Sequence, residues 1–124
     1  MGMLSGVASP LPVISERERQ PGGCQTPLVE PDLSAEDAGR LAVLVKALAD
    51  PTRLRIVDAL RKASPEAVCQ CELLPLFGIS QAALAKHLKV LVGAGLLGVE
   101  RHGLWAYYFI TGEPQWEQLR AWLH

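Results

Sequence analysis

Long apolar runs are missing from this 124-residue chain. None approaches the roughly eighteen residues that a bilayer-crossing helix needs. The N-terminus lacks a basic region followed by an apolar core, so it does not read as a secretory signal. Met1-Gly2 opens like a myristoylation site, but Gly6 stands where that motif needs Ser or Thr. A cytoplasmic location with no membrane partner is expected. Cysteine is scarce: only Cys24, Cys69 and Cys71 are present. In a chain without a signal this argues against a disulfide framework and leaves metal binding, redox sensing or plain burial. Strong charge of one sign is also missing, the net value being −1. No nucleophile–base pair or pair of carboxylates stands in a setting that would support catalysis, so an enzyme is not expected. No internal repeat is found.

What is present is unevenly distributed. Residues 1–50 carry four basic and seven acidic side chains, and residues 51–124 carry eight and six. Between Phe77 and Ile110 the one acid is Glu100, against Lys86, Lys89 and Arg101, with His87 and His102 in reserve. Such a bias permits phosphate contact without dictating it. Residues 1–33 hold Pro10, Pro12, Pro21, Pro27 and Pro31 around Gly22-Gly23 and the run Glu16-Arg17-Glu18-Arg19, with no periodicity. They read as a flexible tail bearing Cys24, ahead of one domain over residues 34–124. A domain of that size buries only a modest core and often completes it by dimerising.

Ser34 followed by Asp37 predicts the start of a first helix, in which Leu41, Leu44, Val45 and Leu48 form an apolar stripe. Ala42, Val43 and Ala47 widen that stripe beyond one face, as a dimerising helix would require. Asp50-Pro51 predicts a cap and a first helical position. The second helix runs to about Lys62, with Leu54, Val57 and Leu60 inward and Arg53, Arg55 and Arg61 solvated. A third helix is expected over roughly Ala67–Phe77, kinked or frayed at Pro75.

The stretch Phe77–Leu97 organises the rest. Ser80 can cap a helix in which Ala83, Leu84, His87, Leu88 and Leu91 keep about a 3.6-residue spacing and form the inner face. Gln81, Ala82, Ala85, Lys86 and Lys89 fall on the other face. A four-turn helix begun by Gly78-Ile79-Ser80 and stopped at Gly93 to Gly95 suits the reader of a helix-turn-helix. Gln81 is the candidate base reader, since a side-chain amide pairs with adenine in the major groove. Ser80 is a candidate for capping and phosphate contact, and Ala82 for close approach to the groove floor. Lys86, Lys89 and Arg101, with His87 and His102, complete the candidate DNA-binding set. Packing beneath the helix is the alternative for His87.

Leu96, Leu97 and Val99 predict a strand, Arg101-His102-Gly103 a turn, and Trp105, Tyr107 and Phe109 a second strand whose inner side includes Trp105 and Tyr107. A last helix from Glu113-Pro114 turns Trp116, Leu119, Trp122 and Leu123 to one side. The fold class is mainly α with a small β-hairpin: a winged helix-turn-helix, dimeric.

Several phrases of this order carry a family resemblance. They are Ala47-Leu48-Ala49-Asp50-Pro51-Thr52-Arg53-Leu54-Arg55-Ile56, Cys69-Gln70-Cys71-Glu72-Leu73, Ile79-Ser80-Gln81, His87-Leu88-Lys89-Val90-Leu91 and Ala94-Gly95-Leu96-Leu97. Together they resemble the ArsR/SmtB family of metal-responsive repressors over about residues 38–110. The resemblance implies a homodimer paired through its first and last helices, bound to double-stranded operator DNA until a metal ion binds. It also marks Cys69-Gln70-Cys71 as the arsenic-type ligand motif. Ala82, Ala83 and Ala85 depart from the hydroxyl-bearing residues common there. The last helix, with Glu113, Glu117 and His124, lacks the zinc-type ligand spacing.

In an intact helix Cys69 and Cys71 would point about 200° apart, since each residue turns about 100°. One ion cannot take both thiolates there at bond lengths of about 2.3 Å. Binding is therefore expected to bend or unwind the third helix beside the reader. Trivalent arsenic and antimony favour three thiolates, and Cys24 is the remaining sulfur, so the candidate metal site is Cys24, Cys69 and Cys71. The expected inducer is As(III) or Sb(III), with no organic cofactor. The alternatives are a cadmium, lead or zinc sensor, a thiol redox sensor, a thiol oxidoreductase and a protein-interaction module.

Overall fold

A computed structural model describes residues 28–111 and 114–123. Cys24, Glu113 and His124, with residues 1–27 of the expected tail, lie outside the described residues. Contacts divide the chain after Asp32, and the elements below belong to the unit Leu33–His124.

Three helices begin where an oxygen-bearing side chain can satisfy a free backbone N–H. Helix α1, Ala35–Leu48, starts with the Asp37 N–H donating to Ser34 Oγ at 3.0 Å. Helix α2, Pro51–Ala63, starts with the Arg53 N–H donating to Asp50 Oδ2, also at 3.0 Å. The reader helix, Gln81–Gly93, starts with the Ala83 N–H donating to Ser80 Oγ at 3.0 Å.

Between α2 and the reader helix the chain departs from the single kinked helix expected over Ala67–Phe77. Val68–Cys69 is a short strand, β1, and only Gln70–Leu73 is α-helical, as α3. Leu74–Leu76 then tightens into a 3-10 turn with Pro75 in its first positions. Proline has no N–H to donate and crowds the preceding turn, so the change of helix type falls where Pro75 predicts it. The reader helix is therefore α4.

Strand β2, Leu97–His102, and strand β3, Trp105–Ile110, form the hairpin. Their link is the pair Gly103–Leu104, one residue later than expected, and Gly103 takes the left-handed φ of +64° that such a tight reversal favours. β1 pairs on the far side of β3, so the order is β1-β3-β2, antiparallel throughout. The last helix, α5, spans Pro114–Leu123.

The core is built mainly from leucine. Leu41 and Leu44 of α1, Ile56 and Leu60 of α2, and Leu84, Leu88 and Leu91 of α4 meet Leu96, Leu97 and Tyr108 of the hairpin. On helix α2 Leu60 is buried and Val57 packs against the core as expected, but Ile56 is fully buried in place of Leu54, which is 52% exposed. The phase of β3 is reversed, with Ala106 and Tyr108 inward and Trp105 outward. The outer face covers itself in part. A Cβ on Gly98 would lie 2.4 Å from the Phe109 ring, which lies across the glycine opposite it. On α5, Leu119 is buried and the Trp116 indole N–H donates to the Leu96 carbonyl at 2.8 Å, while Trp122 and Leu123 remain exposed.

Candidate nucleic-acid interface and thiol pair

Helix α4 offers the face its spacing predicts. Leu84, Leu88 and Leu91 are buried, and Gln81, Ala82, Ala85, Lys86 and Lys89 are exposed. Ser80, itself exposed, holds the cap. The small side chains leave the backbone approachable, and the two lysines stand one turn apart. Arg101 and His102 are exposed on β2. His102 Nε2 lies 3.6 Å from Glu100 Oε1, and its ring meets Tyr107 edge-on at 5.5 Å.

His87 is differently placed. Its side chain is 22% exposed and faces back toward α2, with Nδ1 3.9 Å from Asp50 Oδ2. Arg53 Nη1 lies 3.3 Å from the same nitrogen. Arg53 is not the solvated side chain expected from the pattern, because its Nε donates to the Ala47 carbonyl at 2.6 Å. The Asp50 carboxyl is held below the usual carboxylate range, first by the Arg53 backbone N–H; burial opposes this, and the charges of His87 and Arg53 add to it. These three side chains tie the start of α2 to the underside of α4.

The thiol pair departs most from expectation. Cys69 is not inside a helix; it ends β1 and caps α3 in extended geometry. The Cys71 N–H donates to Cys69 Sγ at 3.3 Å, and the Cys69 N–H donates to Glu72 Oε1 at 3.0 Å, a reciprocal capping box. The two Cα atoms are 5.2 Å apart and the sulfurs are joined as a disulfide. An extended residue followed by the first helical turn brings both sulfurs to one side. The 200° opposition of an intact helix therefore does not arise, and no unwinding is needed for them to meet. Cys69 is only 4% exposed, whereas Cys71 is open to solvent. Across the sheet Cys69 is in register with Tyr107 of the wing strand β3, a link that a two-residue strand could not advertise in sequence. Among the described residues no group of three or more His, Cys, Asp and Glu converges as a metal site.

A helix-turn-helix with a cationic, small-residue reader face, followed by a two-stranded wing, defines a winged helix-turn-helix protein. Residues 50–98 match the family described as "Bacterial regulatory protein, arsR family". The "Arsenical resistance operon repressor" of Bacillus subtilis (strain 168) is 40% identical over 68 residues, covering 55% of this chain and 63% of that protein. An uncharacterized HTH-type transcriptional regulator of Methanocaldococcus jannaschii is 31% identical over 74 residues, covering 60% of this chain and 81% of that protein. Among solved structures, the homodimeric winged helix-turn-helix DNA-binding domain of a possible ArsR-family transcriptional regulator from Mycobacterium bovis aligns with a TM-score of 0.59. That pair shares 26% identity over 76% of this chain and 84% of the other. The chain belongs to the arsR family of bacterial regulatory proteins. These relatives are regulators rather than enzymes, and the antiparallel sheet gives the cysteines no βαβ setting of the kind a thiol oxidoreductase uses.

Proposed function

We propose that this chain is a homodimeric repressor that holds operator DNA and releases it when As(III) or Sb(III) binds Cys69 and Cys71, with Cys24 as the third thiolate. The observation that carries the reading is the convergence of the Cys69 and Cys71 sulfurs at the β1–α3 junction. Exposed Cys71 is the entry ligand and buried Cys69 the anchor. Once a cellular thiol reductant has opened the disulfide to two thiols, a metalloid that binds both as they lose their protons, at sulfur distances of about 2.3 Å, engages Cys69 Sγ, the acceptor of the helix-capping N–H. Displacing Cys69 acts along two paths. One runs through α3 and the 3-10 turn to α4, and the other through the pairing of β1 with β3 to the wing. Gln81 reads a base, Ser80 meets a phosphate, and Lys86, Lys89, Arg101 and His102 supply the charge. His87 supports the reader helix from beneath.

Dimerisation is supported by what one protomer leaves exposed: Val43 and Val45 on α1, and Trp122 and Leu123 on α5. The Mycobacterium bovis domain is itself homodimeric.

The test is fluorescence anisotropy of a labelled duplex from the promoter region with reduced protein, titrated with arsenite, antimonite, cadmium, lead and zinc. Release by the trivalent ions near one per subunit, lost in Cys69→Ser and Cys71→Ser, is expected. Cys24→Ser assigns the third ligand. A dimer that keeps its duplex with both sulfurs occupied by metalloid would refute the reading. The pairing of Cys69 with Cys71 favours one second reading, a thiol redox sensor; release by oxidation alone, with no stable arsenite complex, would select it.

A further inference from the structure

One cleft in the fold is used by neither the thiols nor the reader face. It measures about 300 Å³ and lies where α5 meets α2 and the end of β3. That is the low end of the size range of small-molecule pockets. Val57 of α2, Ile110 of β3 and Trp116 of α5 give it apolar walls, and Arg61 and Arg120 bring two guanidinium groups to its lining against the carboxylate of Glu117. Each arginine is paired along its own helix, Arg61 with Asp58 at 2.8 Å and Arg120 with Glu117. Both pairs are open to water, where such pairs hold weakly. Neither exhausts its guanidinium, which carries more N–H donors than one carboxylate uses. Asp58 takes Nε and Nη2 of Arg61, and Glu117 takes Nη1 of Arg120. Donors remain on both helices for a further carboxylate.

We infer that this cleft is an effector site for a small aromatic carboxylate, its ring against Val57, Ile110 and Trp116 and its charge between Arg61 and Arg120. A cationic ligand would be repelled by the same two groups, and an uncharged ring would leave them unused. The walls also carry a link to the reader helix. The Trp116 indole N–H donates to the Leu96 carbonyl at 2.8 Å, and Thr111 Oγ1, also on the cleft, donates to the Gly95 carbonyl at 2.9 Å. Gly95 and Leu96 follow directly on α4, whose cap is Ala94. A ligand that wedges Trp116 away from α2 pulls on the Leu96 bond, and so on the C-terminal end of the reader. It shifts the reader only as far as it prefers that displaced state. The site stands apart from the thiols; its effect on DNA rests on the operator-binding reading above.

The experiment uses the ¹⁵N-labelled full chain, reduced and free of metalloid, titrated with 2-naphthoate and with uncharged 2-naphthamide. The chain has three tryptophans, so three indole N–H signals report, and Trp116→Phe assigns the one in the cleft. Naphthoate should shift the Trp116 signal saturably and leave that of Trp105 in place. Arg61→Gln combined with Arg120→Gln, both at exposed positions, should weaken naphthoate about tenfold and leave naphthamide unchanged. In the anisotropy assay, naphthoate near its wild-type Kd should weaken duplex binding by wild type and much less by the double variant. No saturable shift of Trp116, equal affinity for acid and amide, or an unchanged Kd in the double variant would overturn the site. Saturable binding with duplex affinity unchanged even at saturation would overturn its role as an effector site. A wild-type protein that holds no duplex without naphthoate would instead remove the repressor reading, and the indole titration would still decide the site.

Discussion

Replacing Cys69 by alanine should cost far more stability than replacing Cys71, although both belong to one short motif. Cys69 Sγ accepts the Cys71 N–H and so caps α3. Losing an N-cap acceptor costs about 1 kcal/mol, toward the lower end for sulfur. The same sulfur is buried, Cys69 being 4% exposed, and removing a buried atom of that size costs about another 0.8 kcal/mol. Together the loss is about 1.5–2 kcal/mol. In a domain of this size each kcal/mol moves Tm by about 4–8 °C, so a fall of about 6–16 °C is expected. Cys71→Ala removes an exposed side chain and should stay within about 0.5 kcal/mol of wild type. Cys69→Ser, which restores a capping oxygen, should fall between the two. The assay is thermal and urea unfolding followed by circular dichroism, with a phosphine reductant and matched protein concentrations, because association would shift Tm. Equal losses for Cys69→Ala and Cys71→Ala would refute the assignment of Cys69 as a structural cap.

Gly98→Ala should cost about 1–3 kcal/mol, because the new methyl would meet the Phe109 ring at 2.4 Å; Phe109→Leu in the same chain should recover much of it, read by urea midpoint. Acid sensitivity should trace in part to Asp50, whose carboxyl is held low in the folded state by the Arg53 N–H. Its contribution is present above the unfolded carboxylate pKa of about 4 and is lost as pH falls through that value and below. Asp50→Asn keeps a capping oxygen but cannot titrate, so its stability between pH 6 and 2.5 should fall less steeply than wild type; an unchanged slope would reject the role. Lys86→Ala and Lys89→Ala should each weaken duplex binding evenly across sequences and reduce the salt slope by about 0.9 for each phosphate that is no longer neutralised. Gln81→Ala should relax the preference at one base pair, costing about 1–3 kcal/mol of discrimination, as measured on a panel of single-substituted duplexes.

Some of this molecule is legible from short-range chemistry. Ser34, Asp50 and Ser80 each precede a helix and accept the N–H three residues on, so those starts follow from residue type alone. The reader face is equally plain because α4 alternates leucines with small or charged residues at helical spacing. Other features depend on partners that local pattern does not reveal. In β3 the run Trp105-Ala106-Tyr107-Tyr108-Phe109-Ile110 is apolar on both faces, so alternation does not decide which enters the core. The fold turns Ala106 and Tyr108 inward and leaves Phe109 to cover Gly98. Arg53 reads as a surface cation until the carbonyl of Ala47 and the ring of His87 stand beside it.

The thiol pair shows how one long-range pairing alters a chemical conclusion. Read as a helix, Cys69-Gln70-Cys71 points its sulfurs apart, and binding an ion must break structure. Pairing of Val68–Cys69 with β3 takes Cys69 out of the helix, and the same two residues then converge. Distortion is thus not a precondition for these two sulfurs to meet. In the proposed mechanism the work of an ion would fall on the interactions Cys69 already makes: the capped N–H of Cys71, the Glu72 carboxylate on its own N–H, and the register with Tyr107. Two of these belong to the helix preceding the reader and one to the wing. An ion at the proposed site would therefore bear at once on the helix preceding the reader and on the wing strand.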